Sequence, residues 1–202
     1  MAFISASLLL LARYYFFPYF LSQIPLARDF TFLFALPLLI LLLLRVRLSD
    51  FGLQFGEAKK QMPFVTLALL IATPFMFVAA TLPVFNNYYP IFGWARFGVA
   101  NFVAYESLIL LFMFATEFFF RGYLLMGMKG LGGPAAILLQ NIPYTLVHLG
   151  KPPLEIPASF FAGLFFGWAD WRAKSILPSV ILHWCINILM DVFCIYFYFR
   201  AS

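Results

Sequence analysis

The chain has 202 residues, of which 64% are hydrophobic and 10% are charged. An ordinary soluble domain carries about 25% charged residues, so this composition excludes a soluble globular protein. The net charge of +5 is not gathered into a basic stripe, which argues against nucleic acid as a partner. Seven membrane-spanning helices would use about 140 positions, close to the apolar content. The sequence therefore predicts an all-α, polytopic transmembrane bundle of about seven spans (six to eight) in a single domain, 1–202.

Apolar stretches separated by polar or Gly- and Pro-rich breaks predict the spans in chain order. The apolar N-terminus lacks the basic segment and the small-residue cleavage site of a cleaved signal peptide, so a retained first span is expected. The polar stretch 49–61 is expected at the membrane surface. The predicted spans are about 3–24, 30–44, 61–82, 101–128, 134–149, 156–170 and 176–199.

The distribution of basic residues predicts the orientation of these spans. Inside loops of membrane proteins are enriched in Lys and Arg. With the N-terminus inside, seven basic residues fall in inside loops and four in outside loops or the tail. The sequence therefore predicts an inside N-terminus and an outside C-terminus. The inside set is Arg45, Arg47, Lys59, Lys60, Lys129, Arg172 and Lys174, and the outside set is Arg28, Arg96, Lys151 and Arg200.

Ionisable residues inside the predicted spans require an explanation, because each charge at mid-membrane costs about 2.5 to 3.5 kcal/mol. Glu106 lies about three helical turns before Glu117, so it is expected to pair with Arg13 and not to join a site. Asp191 is expected beside the site or at the membrane interface. The ionisable residues that stand out are Glu106, Glu117, Arg121, His148 and His183.

Polar pairs spaced four residues apart share one helix face on each of three predicted spans. One explanation is structural: an ion pair within one helix, and hydrogen bonds that join neighbouring helices. The other is a single polar cluster, because helix rise places Glu117 and His148 at similar depth, about 20 and 27 Å from the turn near Gly130. The pairs are Glu117 with Arg121, Tyr144 with His148, and His183 with Asn187.

Such a cluster has the groups that hydrolysis needs. A carboxylate and an imidazole deprotonate a water, and neutral donors stabilise an oxyanion. No serine or cysteine is expected to be paired with a histidine as a nucleophile is paired with its base, so an attacking water is favoured over a covalent intermediate. Zinc bound by Glu117, His148 and His183 is an alternative. The H-E-x-x-H signature of zinc hydrolases is absent, so the prediction is a site without a cofactor.

Three stretches, in this order, resemble the motifs of the CPBP family, which comprises the CAAX proteases and the bacteriocin-processing or Abi proteins. Thr116–Arg121 is similar to E-E-x-x-x-R, Tyr144–His148 to F-x-x-x-H, and His183–Asn187 to H-x-x-x-N. The resemblance covers about residues 101–195, which are expected to form the catalytic core. The family consists of glutamic-type intramembrane proteases, so the resemblance implies that activity.

The resemblance also implies roles for the polar residues. Glu117 and His148 would activate the attacking water, and His183 and Asn187 would hold the oxyanion of the tetrahedral intermediate. Arg121 would orient Glu117 and keep it ionised, because a nearby opposite charge favours the carboxylate.

Two positions depart from the family pattern. Tyr144 keeps the ring of the family's Phe and adds a hydroxyl group. Thr116 replaces the first glutamate of the motif, to which the family assigns water activation, and a hydroxyl group only donates or accepts hydrogen bonds at neutral pH. Three explanations are open: Glu117 takes over as the base, the chain is a non-catalytic member, or the sequence carries an inactivating substitution.

The leading hypothesis is an intramembrane endopeptidase that cleaves a protein or peptide near its C-terminus or near the membrane. The second is an inactive family member that serves as a binding or immunity protein. The third is a proton- or ion-coupled transporter, since Glu and His also form relays in membranes, although the paired inverted repeats typical of transporters are absent. The small size favours a multi-pass protein of a prokaryotic cell membrane.

Overall fold

The computed structural model describes residues 2–15 and 25–201, and this part of the chain is helical without β-strands. The predicted all-α fold is confirmed. Two π-helical segments interrupt the α-helices, at Thr31–Ala35 and Phe118–Met126. The α-helices are α1 (Ala2–Tyr15), α2 (Pro25–Phe30), α3 (Leu36–Leu43), α4 (Ala58–Ala80), α5 (Pro83–Asn86), α6 (Val99–Glu117), α7 (Gly133–Leu146), α8 (Glu155–Ala173) and α9 (Leu177–Ala201).

Four helical stretches in the described part are long and apolar enough to cross a membrane: Leu26–Leu43, Ala58–Ala80, Val99–Met126 and Leu177–Arg200. They match the predicted second, third, fourth and seventh spans. The first predicted span begins in α1, but residues 16–24 lie outside the described residues. The predicted fifth span, 134–149, corresponds to α7, which ends earlier, and the sixth, 156–170, corresponds to α8, which continues to Ala173.

The π-helical segment Phe118–Met126 lies at the centre of the bundle. All nine of its residues are buried, because α1, α7, α8 and the first π-helical segment surround it. A π-helix bonds each N–H to the carbonyl five residues earlier, and such segments often occur at functional sites. This one begins directly after Glu117, so the change of helix type sets how Glu117 and Arg121 face their neighbours.

The loops that are predicted to lie on the inner side of the membrane meet at one end of the bundle, here called the basic end. The backbone N–H of Glu57 donates to the carbonyl of Ala173 at 2.7 Å. The Lys129 ammonium lies 4.0 Å from the Asp50 carboxylate. Three separate connections, around 44–57, 127–132 and 174–176, therefore lie together.

The opposite end carries the connections 81–98 and 147–154 and the end of α9. The Tyr89 hydroxyl donates to Glu155 Oε2 at 2.6 Å. The Arg96 guanidinium lies 4.3 Å from the centre of the Tyr198 ring. Along the described chain, consecutive connections therefore alternate between the two ends of the bundle, as the seven-span prediction expects.

Contacts between α7 and α8 use small and polar residues. Asn141 Nδ2 donates to the Phe160 carbonyl at 2.9 Å, and Gln140 Nε2 to the Gly163 carbonyl at 3.3 Å. A side chain added at Gly163 would collide with Asn141 and the Tyr144 ring. Apolar burial gives little driving force between helices in lipid, so close backbone approach and interhelical hydrogen bonds hold this pair together.

The predicted pairing of Arg13 with Glu106 is wrong. Arg13 Nε lies 2.7 Å from Asp29 Oδ1, in an ion pair that Arg28 also joins. Asp29 precedes the first π-helical segment, so this pair joins α1 to α2. The carboxylate of Glu106 instead faces α9, where Trp184 Nε1 donates to it at 3.2 Å.

Candidate active site

Glu117 sits at the end of α6 and contacts two polar partners from different elements. Its Oε1 lies 2.5 Å from Nδ1 of His183 on α9. Its Oε2 lies 3.0 Å from Nη1 of Arg121, one π-helical turn further along the chain. The side chains of Glu117 and Arg121 are fully buried. The structure therefore brings together the first and third motif-like stretches through one carboxylate.

Arg121 is enclosed by aromatic rings as well as by its ion pair. Its guanidinium carbon lies 3.8 Å from the centre of the Tyr144 ring and 5.1 Å from that of Phe166. Its Nη2 donates to the Gly163 carbonyl at 3.4 Å. A planar guanidinium can stack on a ring and bind a carboxylate at once, which a lysine ammonium cannot do. Arg121 thus ties α6, α7 and α8 together behind the site.

A cavity of about 760 Å³ lies between α4, α8 and α9 and reaches the opposite end of the bundle. Its walls are mostly apolar. Tyr144, His148, His183 and Asn187 line it, so the second and third motif-like stretches face one space. Glu117 is not among the lining residues, because it lies behind His183. This size and character suit an apolar ligand that is oriented by a few polar groups.

His148 follows the end of α7, and its ring has a defined orientation. Nδ1 lies 2.8 Å from the carbonyl oxygen of Tyr144. Its ring contacts the Tyr144 ring with centres 4.8 Å apart, and the Tyr144 ring also contacts His183 at 6.3 Å. Tyr144 therefore lies between the two histidines and keeps them on one wall of the cavity.

Glu155, at the start of α8, was not predicted as a site residue. It lines the cavity, and its Oε1 lies 4.0 Å from Nε2 of His148 and 2.7 Å from the Lys151 ammonium. Burial raises the pKa of the Tyr89 hydroxyl well above its ordinary value, and the nearby Glu155 raises it further. Tyr89 therefore remains a proton donor to Glu155. The sequence signal at Glu155 is only its four-residue spacing from Lys151, which is typical of a local ion pair and does not indicate a site.

Asn187 lies one helical turn after His183, and a side chain one turn further along α9 holds its amide by a hydrogen bond. Its Nδ2 donates to Asp191 Oδ2 at 2.5 Å. Asp191 is fully buried, and the Glu106 carboxylate is close enough to interact with it electrostatically. Asp191 was expected beside the site or at the membrane interface, and this contact places it beside Asn187. Glu106 joins the same cluster, contrary to the sequence prediction.

Thr116 is buried, and its hydroxyl oxygen has no hydrogen-bond partner among the described residues. It does not line the cavity. The position at which the family motif has its first glutamate therefore provides neither a carboxylate nor a polar group on the cavity wall.

The zinc alternative required Glu117, His148 and His183 to converge. Within the described ranges, no group of three or more His, Cys, Asp or Glu side chains is arranged to hold a metal ion. The two carboxylate oxygens of Glu117 contact His183 and Arg121. His148 instead lies beside Glu155 on the cavity wall. The donor set does not fit a three-ligand zinc site, and the prediction of a site without a cofactor stays a prediction.

Residues 98–189 match the family model for the type II CAAX prenyl endopeptidase Rce1-like domain. This range contains all three motif-like stretches, and with them His148, His183 and Asn187, which line the cavity. The resemblance to the CAAX protease family is confirmed. Comparisons with curated proteins and with solved structures gave no match.

Proposed function

We propose that this chain, whose residues 98–189 match the Rce1-like family model of CAAX prenyl endopeptidases, is an intramembrane endopeptidase. It hydrolyses a peptide bond of a membrane-associated protein or peptide near its C-terminus or near the membrane. One observation carries the proposal: His148, His183 and Asn187, from two helical regions, line one mostly apolar cavity. Hydrolysis needs such imidazole and amide groups around the scissile carbonyl.

Water activation is assigned to His148. Its Nδ1 is bound to a backbone carbonyl, so a neutral ring presents the basic Nε2 to the cavity. The proton that Nε2 takes from water later passes to the amine of the leaving fragment. Glu117 does not face the cavity, which argues against the direct water-activating role that the resemblance implies.

Oxyanion stabilisation is assigned to His183 and Asn187. Nδ1 of His183 faces the Glu117 carboxylate, which would offset the charge of an imidazolium whose Nε2–H points into the cavity. Asn187 uses one amide hydrogen on Asp191 and has a second for the oxyanion. Glu117 acts as a positioning residue in this scheme, and Arg121 holds it.

Substrate is proposed to enter from the bilayer between α4 and α8. Phe75 on α4 and Phe161 on α8 both line the cavity, yet they are 72% and 69% exposed. Exposed aromatic side chains at the rim of an apolar cavity suit a membrane-embedded or lipid-modified ligand. The protein would act within a prokaryotic cell membrane.

The test is cleavage of a fluorogenic peptide with a prenylated C-terminal Cys-aliphatic-aliphatic-X sequence by the purified chain in liposomes. Hydrolysis by the wild type and its loss, by about 100-fold or more, in His148→Ala and in His183→Ala would support the proposal. A matched control is Asn101→Ala, because Asn101 is exposed and its amide donates to the Phe97 carbonyl, just before α6 and away from the cavity. Cleavage unchanged in both histidine variants would refute the site.

Thr116 favours a second candidate, a non-catalytic member that binds peptides. Thr116→Glu restores the carboxylate, and Thr116→Gln adds the same bulk without the charge. If the wild type is inactive and only Thr116→Glu cleaves the peptide, the chain is a non-catalytic member, and binding of the same labelled peptide by the wild type would support the second candidate. If the wild type cleaves and Thr116→Glu gives no gain over Thr116→Gln, the second candidate is wrong.

A further inference from the structure

We propose that Glu155 is a catalytic residue that binds the attacking water together with His148. The proposal rests on the proposed peptidase function and supplies what that function still lacks, a carboxylate in contact with the reacting water. Among the cavity-lining residues in the described part of the chain, Glu155 is the one that carries a carboxylate. Glu117 is buried behind His183, and the Thr116 hydroxyl is not a base at neutral pH.

The tautomer of His148 follows from its backbone contact. A carbonyl oxygen only accepts hydrogen bonds, so the proton of a neutral ring lies on Nδ1, which faces the Tyr144 carbonyl at 2.8 Å. Nε2 is then an acceptor. It faces Glu155 Oε1, a second acceptor, at 4.0 Å.

Two acceptors at this separation fit one water between them. Hydrogen bonds of about 2.8 Å each bridge atoms up to about 5.6 Å apart, so 4.0 Å leaves room for a bent bridge. A water in that place donates one hydrogen to Nε2 and the other to Oε1. Both of its lone pairs then point away from the pair, toward a substrate carbonyl in the cavity.

The carboxylate of Glu155 is fixed in place by two donors. The Tyr89 hydroxyl binds Oε2 at 2.6 Å, and the Lys151 ammonium binds Oε1 at 2.7 Å. Its side chain is 19% exposed, so it borders the cavity mouth and is not a freely solvated surface charge. A fixed acceptor at the water costs little reorganisation during the reaction.

The step balances within this chain and its substrate. The water oxygen bonds to the peptide carbonyl carbon as one O–H bond breaks, and its proton moves to His148 Nε2. Glu155 then stabilises the imidazolium charge. When the tetrahedral intermediate collapses, the C–N bond breaks and the imidazolium proton goes to the leaving amine, which restores neutral His148.

Glu155→Gln tests the proposal, because the amide keeps the size of the side chain but loses the charge and one acceptor oxygen. With the prenylated peptide in liposomes, we expect kcat to fall about 100-fold while KM changes little. The control is Glu57→Gln, which breaks an exposed ion pair with Lys60 at the basic end. Activity of Glu155→Gln within about threefold of wild type, with His148→Ala inactive, would overturn the role of Glu155 alone. An inactive wild type would overturn the proposed function itself.

A second measurement does not depend on turnover. The chain contains two histidines, so nitrogen NMR of a histidine-labelled sample resolves both rings. We expect Nδ1–H on His148, and we expect Glu155→Gln to move its Nε2 resonance but not the resonances of His183. An unmoved Nε2 resonance, or a proton on Nε2 in place of Nδ1, would overturn the water bridge.

Discussion

Glu117 shows at the scale of one residue why a buried charge needs several partners. Removing a carboxylate from water costs several kcal/mol, which is offset only when the charge is paired and hydrogen-bonded. Arg121 and His183 provide those contacts on its two oxygens. The same contacts orient His183 toward the cavity, so one carboxylate both stabilises the bundle and places a site residue.

Glu117→Gln separates these two contributions. The variant leaves the Arg121 charge buried without its anion, so we expect a loss of about 3 to 5 kcal/mol in stability and a fall in peptide cleavage. Thermal unfolding in detergent and the cleavage assay measure the two effects. Adding Arg121→Gln removes the orphaned charge.

We expect the double variant to recover much of the unfolding temperature but little activity, because His183 still lacks a carboxylate. Recovery of both quantities together would show that Glu117 acts only on stability. Failure of the single variant to lower the unfolding temperature would contradict the burial of the ion pair.

Sequence patterns predicted residue contacts within one helix better than contacts between helices. The four-residue spacing anticipated the pairs of Glu117 with Arg121 and of Tyr144 with His148. The rise of 1.5 Å per residue applies to an α-helix, whereas the residues after Glu117 are π-helical. A membrane depth obtained by counting residues from the turn near Gly130 therefore could not predict the contact of Glu117 with His183.

Glu155 could not be found from local spacing. Its partner Tyr89 lies 66 positions earlier in the chain. The sequence predicts only a loop between two spans at that position. Only the fold brings that connection against the start of α8. The predicted partner of Glu106 was wrong for a related reason: the fold places Asp29, and not Glu106, against Arg13.

At the scale of an element, the contact between α7 and α8 sets the position of Tyr144 and thus of His148. Gly163 allows this contact, since a β-carbon there would meet Asn141 and the Tyr144 ring. Its carbonyl also accepts bonds from Arg121 and Gln140. The helix pair therefore depends on one glycine for both its spacing and its polar contacts.

Gly163→Ala should push α7 and α8 apart and lower the unfolding temperature in detergent. We expect a loss of about 1 to 3 kcal/mol, as for other overpacked interiors. The matched control is Gly130→Ala, where no atom lies within 4 Å of the added carbon. Equal stability of both variants would mean that this interface is looser than the structure shows.

Element boundaries were predicted best where apolar stretches are long. The fourth span, 101–128, matches the continuous helix Val99–Met126 closely. Span 134–149 was extended too far, because apolar residues continue past the end of α7 into the connection that carries His148. Hydropathy records the apolar content but not where the helix stops.

At the scale of the whole molecule, the arrangement of connections places the cavity toward the end of the bundle opposite the basic end. The connections 44–57, 127–132 and 174–176 meet at the basic end, whereas the cavity reaches the connections 81–98 and 147–154. If basic residues lie inside, the cavity faces the outer leaflet. Substrates would then be segments exposed at the outer side of the membrane.

Cysteine labelling in intact bacterial cells tests this orientation. In a background with Cys185→Ala and Cys194→Ala, we expect a membrane-impermeant maleimide to label Asn87→Cys, at the cavity end, without permeabilisation. Lys60→Cys, exposed at the basic end, should react only after permeabilisation. The reverse pattern would turn the cavity toward the cytoplasm and leave the peptidase proposal intact. Labelling of both positions in intact cells would contradict a bundle whose two ends lie on opposite sides of the membrane.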